Sequence, residues 1–209
     1  MQRLRVAFDA LPLARWGPLF QVLRLEQPDL CLEWQPMGFP RRGRSLLASA
    51  DVGLYVAPPR ETGVRTLTIE TSPMVVLMAV GHRLAQHHEL TVADILDEPF
   101  PGAPGADPEW SAFWSLDEQR GGPPRVIGDA VQNLEQGLEV VAGGRAIATL
   151  AASIADGLPH PGVVAVELRD GPPVATRLVW RTKDENPIIY SLINLAREMT
   201  RRTAVRERR

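Results

Sequence analysis

The sequence predicts an α/β fold divided into two subdomains, and three observations predict it. Stretches that alternate apolar and polar residues take turns with stretches whose apolar residues recur every three or four, the marks of strand and helix respectively. Pro73 stands between two strand-like runs, VRTLTIE and MVVLMAV; it cannot donate to a ladder, so the chain is expected to leave one sheet there. Two further strands and a helix come after a complete second set of βα units. They are too few for a third domain, so the chain is expected to return near Val163. The expected division is residues 1–72 with 164–209 in one subdomain and 73–163 in the other, joined by two crossovers, with a cleft between them.

The elements follow in order. RLRVAFDA, from Arg3 to Ala10, alternates and is rich in β-formers, so it reads as a strand. Leu13, Trp16, Phe20 and Leu23 then define one face of a helix, with Pro18 tolerable early in it. Gln27-Pro28-Asp29 ends that helix. LCLEWQ (Leu30 to Gln35) reads as a second strand with Leu30, Leu32 and Trp34 on one face. RGRSLLASA reads as a short helix, and DVGLYVA (Asp51 to Ala57) as a strand buried on both faces, as in a parallel sheet. PFPGAPGADP reads as a loop and EWSAFWSLDEQR as a helix carrying Trp110, Phe113, Trp114 and Asp117. RVIGDAV is a strand, and NLEQGLEVVAGG is a helix closed by Gly143-Gly144. AIATLA, VVAVEL and VATRLVW are strands. Asn186 caps the last helix, Pro187 opens it, and Ile189, Leu192, Ile193 and Ala196 form its apolar face. The alternation predicts mainly parallel sheets.

The chain has 209 residues, 44% hydrophobic and 23% charged, with a formal net charge of -2. This is a soluble globular composition, without the basic balance of a dedicated nucleic-acid surface. No window is apolar enough to span a membrane. A single cysteine, Cys31, rules out an intrachain disulfide and alternates with Leu30 and Leu32 as a packed thiol. His82, His87 and His88 lack a Cys or carboxylate at ligand spacing, so the turn after the apolar run Met74 to Val80 reads as punctuation, and no metal is expected. Nucleophile-elbow, Walker A and dinucleotide fingerprints are absent from the sequence. Nothing assembles an acid, a base and a nucleophile, so no enzyme activity and no cofactor are expected.

One ordered set of segments resembles a known family: PLFQVLRLEQPDLCLEW, LLASADVGLYVAPP, SPMVVLMAVGHRLAQ, LTVADILDEPF and GLEVVAGGRAIATLAASIAD. Together they resemble the effector-binding, or substrate-binding, domain of LysR-type transcriptional regulators, over essentially the whole chain. Gly81-His82-Arg83-Leu84-Ala85 stands where the family typically has Gly-His-Pro-Leu-Ala. Asp97-Glu98-Pro99-Phe100 matches its Asp-Glu-Pro-Phe. The sequence departs from the pattern at Thr149 to Ser153, which lacks a proline often found there, and at Arg145, in a stretch that is usually apolar. The resemblance implies two Rossmann-like α/β subdomains similar to type 2 periplasmic binding proteins. Family members begin with a winged helix-turn-helix, and the quoted segments start after it, so DNA contact is expected only through an N-terminal domain absent from this chain.

Ligands of open α/β sheets bind beyond the carboxyl ends of the strands. That rule, and the family's effector cleft, point to the same loops. After the first strand come Asp9, Ala10, Leu11 and Pro12; after the second, Gly38, Phe39 and Pro40; at the crossover, Thr71 and Ser72. The later loops supply Pro101, Gly102 and Ala103, then Val131, Gln132 and Asn133. Leu11, Pro12, Phe39 and Pro101 make an apolar cleft, in which Ser72, Gln132 and Asn133 are expected to orient a polar group. Arg41, Arg42 and Arg44 form a solvated loop or lend positive potential to the cleft mouth.

The leading expectation is a cytoplasmic regulatory domain that closes on a small-molecule effector and alters transcription through the DNA-binding domain. The alternative is a solute-binding protein of a transport system with the same fold. The first helix is apolar beyond one stripe, because Leu19, Val22 and Leu25 widen its face. Together with the resemblance, this predicts a homodimer, or a tetramer for a full-length protein. The first helix and second strand of one copy would lie against Asn133 to Gly143 of the other.

Overall fold

The computed structural model describes residues 2–9, 13–158 and 160–206. In chain order the elements are β1 (Gln2–Phe8), α1 (Leu13–Glu26), β2 (Leu30–Pro36), β3 (Val52–Val56), β4 (Val64–Ser72), β5 (Met74–Ala79), β6 (Glu89–Leu90), α2 (Val92–Ile95) and β7 (Phe100–Gly102). Then come α3 (Pro108–Trp114), α4 (Asp117–Arg120), β8 (Val126–Ala130), α5 (Leu134–Ala142), β9 (Ala148–Ala151), α6 (Ala152–Ala155), β10 (Val163–Leu168), β11 (Val174–Arg181) and α7 (Pro187–Arg206). The chain divides into two compact units. The first holds Met1–Met37, Arg44–Thr71 and Ala175–Arg209, and the second holds Gly38–Gly43 and Ser72–Val174.

The first unit is a five-stranded sheet in the order β2-β1-β3-β11-β4. Every residue of β3 is buried, as its unbroken apolar run requires of a strand covered on both faces. Tyr55 folds back over Gly53: a Cβ on that glycine would stand 2.2 Å from the tyrosine ring. The phenol donates to the carbonyl of Leu46, and Ala7, Leu46, Leu47, Ala50 and Val179 pack around it. Arg5 donates to the Asp51 carboxylate at 2.7 Å, which fixes the start of β3 against β1. Leu19, Phe20 and Leu23 of α1 are buried, as are Ile189, Leu192 and Ile193 of α7. The Asn186 side chain accepts from the backbone of Ile188 at 3.0 Å, supplying the expected cap.

The second unit has a four-stranded sheet, β6-β10-β5-β9, and a two-stranded ribbon, β7-β8. All of β5 is buried. The turn after it is punctuation with its own bonds. His82 accepts from the backbone of Leu84 through Nδ1, while its Nε2 lies 3.4 Å from Glu98. Arg83 also reaches Glu98. Thr91 donates through its backbone N–H and its hydroxyl to Asp94, which opens α2. Gly144, with φ at 72°, ends α5 as the glycine pair predicts.

Several expectations are corrected. RGRSLLASA is a series of turns, not a helix. Glu61 accepts from both the Ser45 hydroxyl and the Leu46 N–H, and the Ser45 hydroxyl accepts from Leu47, so side chains take the bonds that a helix would need. The predicted helix EWSAFWSLDEQR is two, α3 and α4, broken where Leu116 takes φ at 59° to bury its side chain completely. Phe100 to Gly102 form β7 rather than a loop; Pro101 is accommodated in a short ribbon that shifts register there. The sheets are mixed, not mainly parallel, because β11 runs antiparallel to β3, and β5 runs antiparallel to both β9 and β10. Residues 164–168, expected in the first subdomain, lie in β10, which pairs with β5 and β6 of the second unit.

The Gly53–Tyr55 contact gives a direct test. Gly53→Ala forces the ring off its place in a packed core. It is expected to lower unfolding free energy by about 1–3 kcal/mol in urea titrations, whereas Gly81→Ala, where a Cβ meets nothing, is expected to cost under about 1 kcal/mol.

Candidate functional site

In the first unit, the loop after β1 begins at Asp9; Ala10, Leu11 and Pro12 lie outside the described residues. Asp9 is 7% exposed. One carboxyl oxygen accepts from the Val56 N–H at 3.0 Å, at the end of β3, and the other, Oδ1, is buried with no hydrogen-bond partner among the described residues. Burial pushes this carboxyl up to about 7, and the N–H groups of Val56 and of Asp9 itself offset only part of the rise. Next along the chain, Ala57 holds φ at 45°, a left-handed conformation that costs a non-glycine residue energy. The carboxylate of Asp51, at the other end of the same strand, behaves oppositely. Burial there raises its pKa, but the hydrogen bonds from Arg5 outweigh burial and hold it below the ordinary range.

In the second unit, the sequence-selected residues Phe39, Pro40, Pro101 to Ala103 and Val131 to Asn133 come together. The segment Gly38–Gly43 lies along two loops. Phe39 donates its N–H to the Gln132 carbonyl at 3.0 Å, Pro40 accepts from Asp107 at 2.7 Å, and Arg41 bridges to Ala106. Gly38 is required for this approach, since a Cβ there would stand 2.7 Å from the Gln132 oxygen. Phe39 and Ala103 pack on a buried cluster of Val131, Val140 and Ala146. Val131 donates to the Gly102 carbonyl at 2.8 Å, tying the β8–α5 loop to β7.

The polar candidates already have bonds. Asn133 is the N-cap of α5 and accepts from Gln136 at 2.9 Å. Gln132 is exposed; its amide oxygen accepts from Arg41 at 3.1 Å. Ser72 is 5% exposed, and its hydroxyl accepts from the Ser153 N–H at 3.0 Å in the first turn of α6. Its role in these contacts is structural. Gln132 therefore keeps the most accessible polar side chain of the three, with Arg41 beside it.

Trp110 lies outside the strand-end loops that the sequence selects. Its ring packs on Phe39 with centroids 4.5 Å apart, and its indole N–H is buried with no partner among the described residues. The signal for its placement is Asp107-Pro108. Asp107 accepts from Glu109 and Trp110 as N-cap, and Pro108 opens the helix, so the third helical residue is fixed beneath the loop. Cys31 is half-buried. Among the described residues no three His, Cys, Asp or Glu side chains are grouped to hold a metal ion, and no helix is long and apolar enough to cross a membrane.

Two mixed α/β units, between which the chain passes at Gly38, Arg44, Ser72 and Ala175, define the type 2 periplasmic-binding class of fold. Residues 1–201 match the LysR substrate binding domain, and the chain belongs to that family. A curated relative, the HTH-type transcriptional regulator AlsR of Bacillus subtilis (strain 168), is 25% identical over 120 residues, which are 55% of this chain and 39% of that protein. The match thus spans well under half of that regulator. Among solved structures, the effector binding domain of a BenM variant has a TM-score of 0.78 at 19% identity, covering 98% of this chain and 97% of that one. Full-length CbnR complexed with its target DNA has a TM-score of 0.72 at 19% identity, covering 95% of this chain and 70% of that one.

The buried Asp9 carboxyl predicts a specific pH dependence. Its folded pKa, about 7, lies above the ordinary aspartate value of 3.8, so the folded state binds the proton more tightly. The stability it contributes is complete below the lower value and is lost as pH rises through the higher one, at up to about 1.4 kcal/mol per pH unit in between. Asp9→Asn is expected to flatten the fall in unfolding free energy between pH 5 and 7 (about the window just given). An unchanged slope in the variant would remove Asp9 as its source.

Proposed function

We propose that this chain is the small-molecule-sensing domain of a LysR-type transcriptional regulator, cytoplasmic and without enzymatic activity of its own. The effector is read at the strand-end loops: Ala10, Leu11 and Pro12 after β1, Phe39 and Pro40 after β2, Ser72 at the crossover, and Pro101, Gly102, Ala103, Val131, Gln132 and Asn133 in the later loops. Binding biases a closure that DNA-binding residues outside this chain convert into altered transcription. The observation that carries the reading is the family match over residues 1–201, together with the convergence of Phe39, Ala103 and Val131 in one cluster. The transport reading shares the fold but has no comparable support from the relative, which is a transcriptional regulator.

The test couples two measurements. A compound library is screened for thermal stabilisation of this chain, and the full-length protein is assayed on promoters next to its own gene with the same compounds. A stabilising compound is expected to change promoter activity. Stabilisers that never alter transcription would sink the regulatory reading.

We further propose a homodimer formed through α1 and β2. Leu19 is buried inside the unit, but Val22 is 38% exposed, Leu25 80% and Trp34 37%, all on those two elements. The partner surface is the stretch Asn133 to Gly143 of a second copy, in a two-fold isologous arrangement. Light scattering is expected to give twice the chain mass, and Leu25→Glu to give a folded monomer. A wild-type monomer at tens of micromolar (roughly the protein level at which contacts of this size hold) would overturn the dimer.

A further inference from the structure

A cavity of about 540 Å³ opens in the second unit beside the β7–β8 ribbon. Its size suits a small organic ligand. One part of its wall is apolar and partly aromatic, supplied by Phe100, Pro101, Trp110 and Val126. The other part is polar and comes from α3 and the start of α4: Ser111 and Ser115, one helical turn apart, and Asp117. The Ser115 hydroxyl bonds to the Asp117 carboxylate and lies 2.9 Å from the Ser111 carbonyl. The Ser115 hydroxyl carries one proton and can serve only one of these two oxygens at a time, so that end of the cavity keeps acceptor capacity on the Asp117 carboxylate and the Ser111 carbonyl. Among the described lining residues none is Lys or Arg. Arg120 sits with its guanidinium 5.3 Å from the centroid of the Phe100 ring and is not among the lining residues.

We propose that this cavity is a binding site for a neutral aromatic molecule carrying a hydrogen-bond donor, a phenol or a ring N–H, which lies against Phe100 and Trp110 and donates to Asp117. The inference rests on the reading of the chain as an effector sensor and gives it a ligand class, since Pro101, Gly102 and Ala103 belong both to the cavity and to the strand-end loops. The apolar wall supplies most of the affinity by removing ring surface from water. The acceptor end supplies the selection. An added carboxylate would meet Asp117 as a like charge, and the nearby Arg120 guanidinium already faces the carboxylates of Asp117 and Asp97, whereas a hydroxyl can donate to an Asp117 lone pair that Ser115 leaves open. Occupancy would press on the Phe39–Trp110 stack, which is how the second unit's cavity reaches the Gly38–Gly43 segment.

Phenol, indole, toluene and benzoate are titrated into the chain by calorimetry. Phenol and indole are expected to bind about tenfold more tightly than toluene or benzoate, the worth of a hydrogen bond to a charged acceptor. Asp117→Asn is expected to erase about that factor. Ser111→Phe fills the cavity from its helical wall and is expected to abolish binding. Val126→Trp, at an exposed wall position, serves the same purpose if the first variant does not fold. Equal or tighter binding of benzoate, or phenol binding that survives both fillings, overturns the assignment. A promoter response to a compound whose binding survives both fillings would overturn the cavity while leaving the sensor reading intact. Phenol binding that the fillings abolish supports the cavity even where no promoter responds, and that second result counts against the sensor reading alone.

Discussion

The first unit depends on the burial of one short strand. Val52 to Val56 leave no residue of β3 in contact with solvent, so neighbours must cover both faces and satisfy both ends. Each fully buried large side chain contributes about 1.5–3 kcal/mol, but only while the neighbours remain in place. The sequence around β3 supplies them. Tyr55 turns back over Gly53 and takes hold of the Leu46 carbonyl, which draws Leu46 and Leu47 inward. Asp51 holds Arg5 at one end, and Asp9 holds the Val56 N–H at the other. The two carboxylates solve opposite problems. Asp51 is paired with a cation and stays charged; Asp9 has no cation and is pushed towards its neutral form by burial. A charged Asp9 would be tolerated only with a partner for Oδ1, and among the described residues that oxygen has none.

The second unit is organised around a different economy, the reuse of backbone groups at loop ends. The Gln132 carbonyl takes Phe39, the Gly102 carbonyl takes Val131, and the Pro40 carbonyl takes Asp107. Side chains such as Asn133 and Asp107 are spent on helix caps. The cavity beside the β7–β8 ribbon is lined by Phe100, Pro101, Trp110 and Val126 together with Ser111, Ser115 and Asp117.

The elements that could be read from the sequence are those whose signals are local. The Asn186-Pro187 start, the Gly143-Gly144 stop and the period of Phe20 and Leu23 each act within one or two turns, and each appears where expected. The failures involve partners far along the chain. Ser45 to Ala50 has a respectable helical pattern, and only Glu61 and Tyr55, from other segments, pull it into turns. Leu116 breaks its helix because its side chain has a buried place to go, and no composition rule signals a leucine with positive φ. At the candidate site the strand-end rule selected Phe39, Ala103 and Val131, which share a cluster. It gave no warning that the Ser72 and Asn133 side chains are already bonded to backbone, nor that Trp110 stacks on Phe39. Those depend on which loop ends meet, a property of topology rather than of spacing.

The placement of Gly38–Gly43 also bears on how the gene can be cut. These residues precede β3 in the chain, yet they belong to the second unit, whose other residues begin only at Ser72. A ribosome releases this strap before the loops it will lie against, around Ala106 and Gln132, have been made, so the strap waits through the synthesis of roughly 60–90 residues (at some 5–20 residues per second, on the order of ten seconds). For the same reason the second unit is not a cassette. A shuffled gene that exchanges residues 72–174 between homologues would seat a foreign loop under a native strap, and the Gly38 contact, which has no room for a side chain, would be the first place where the two parents disagree.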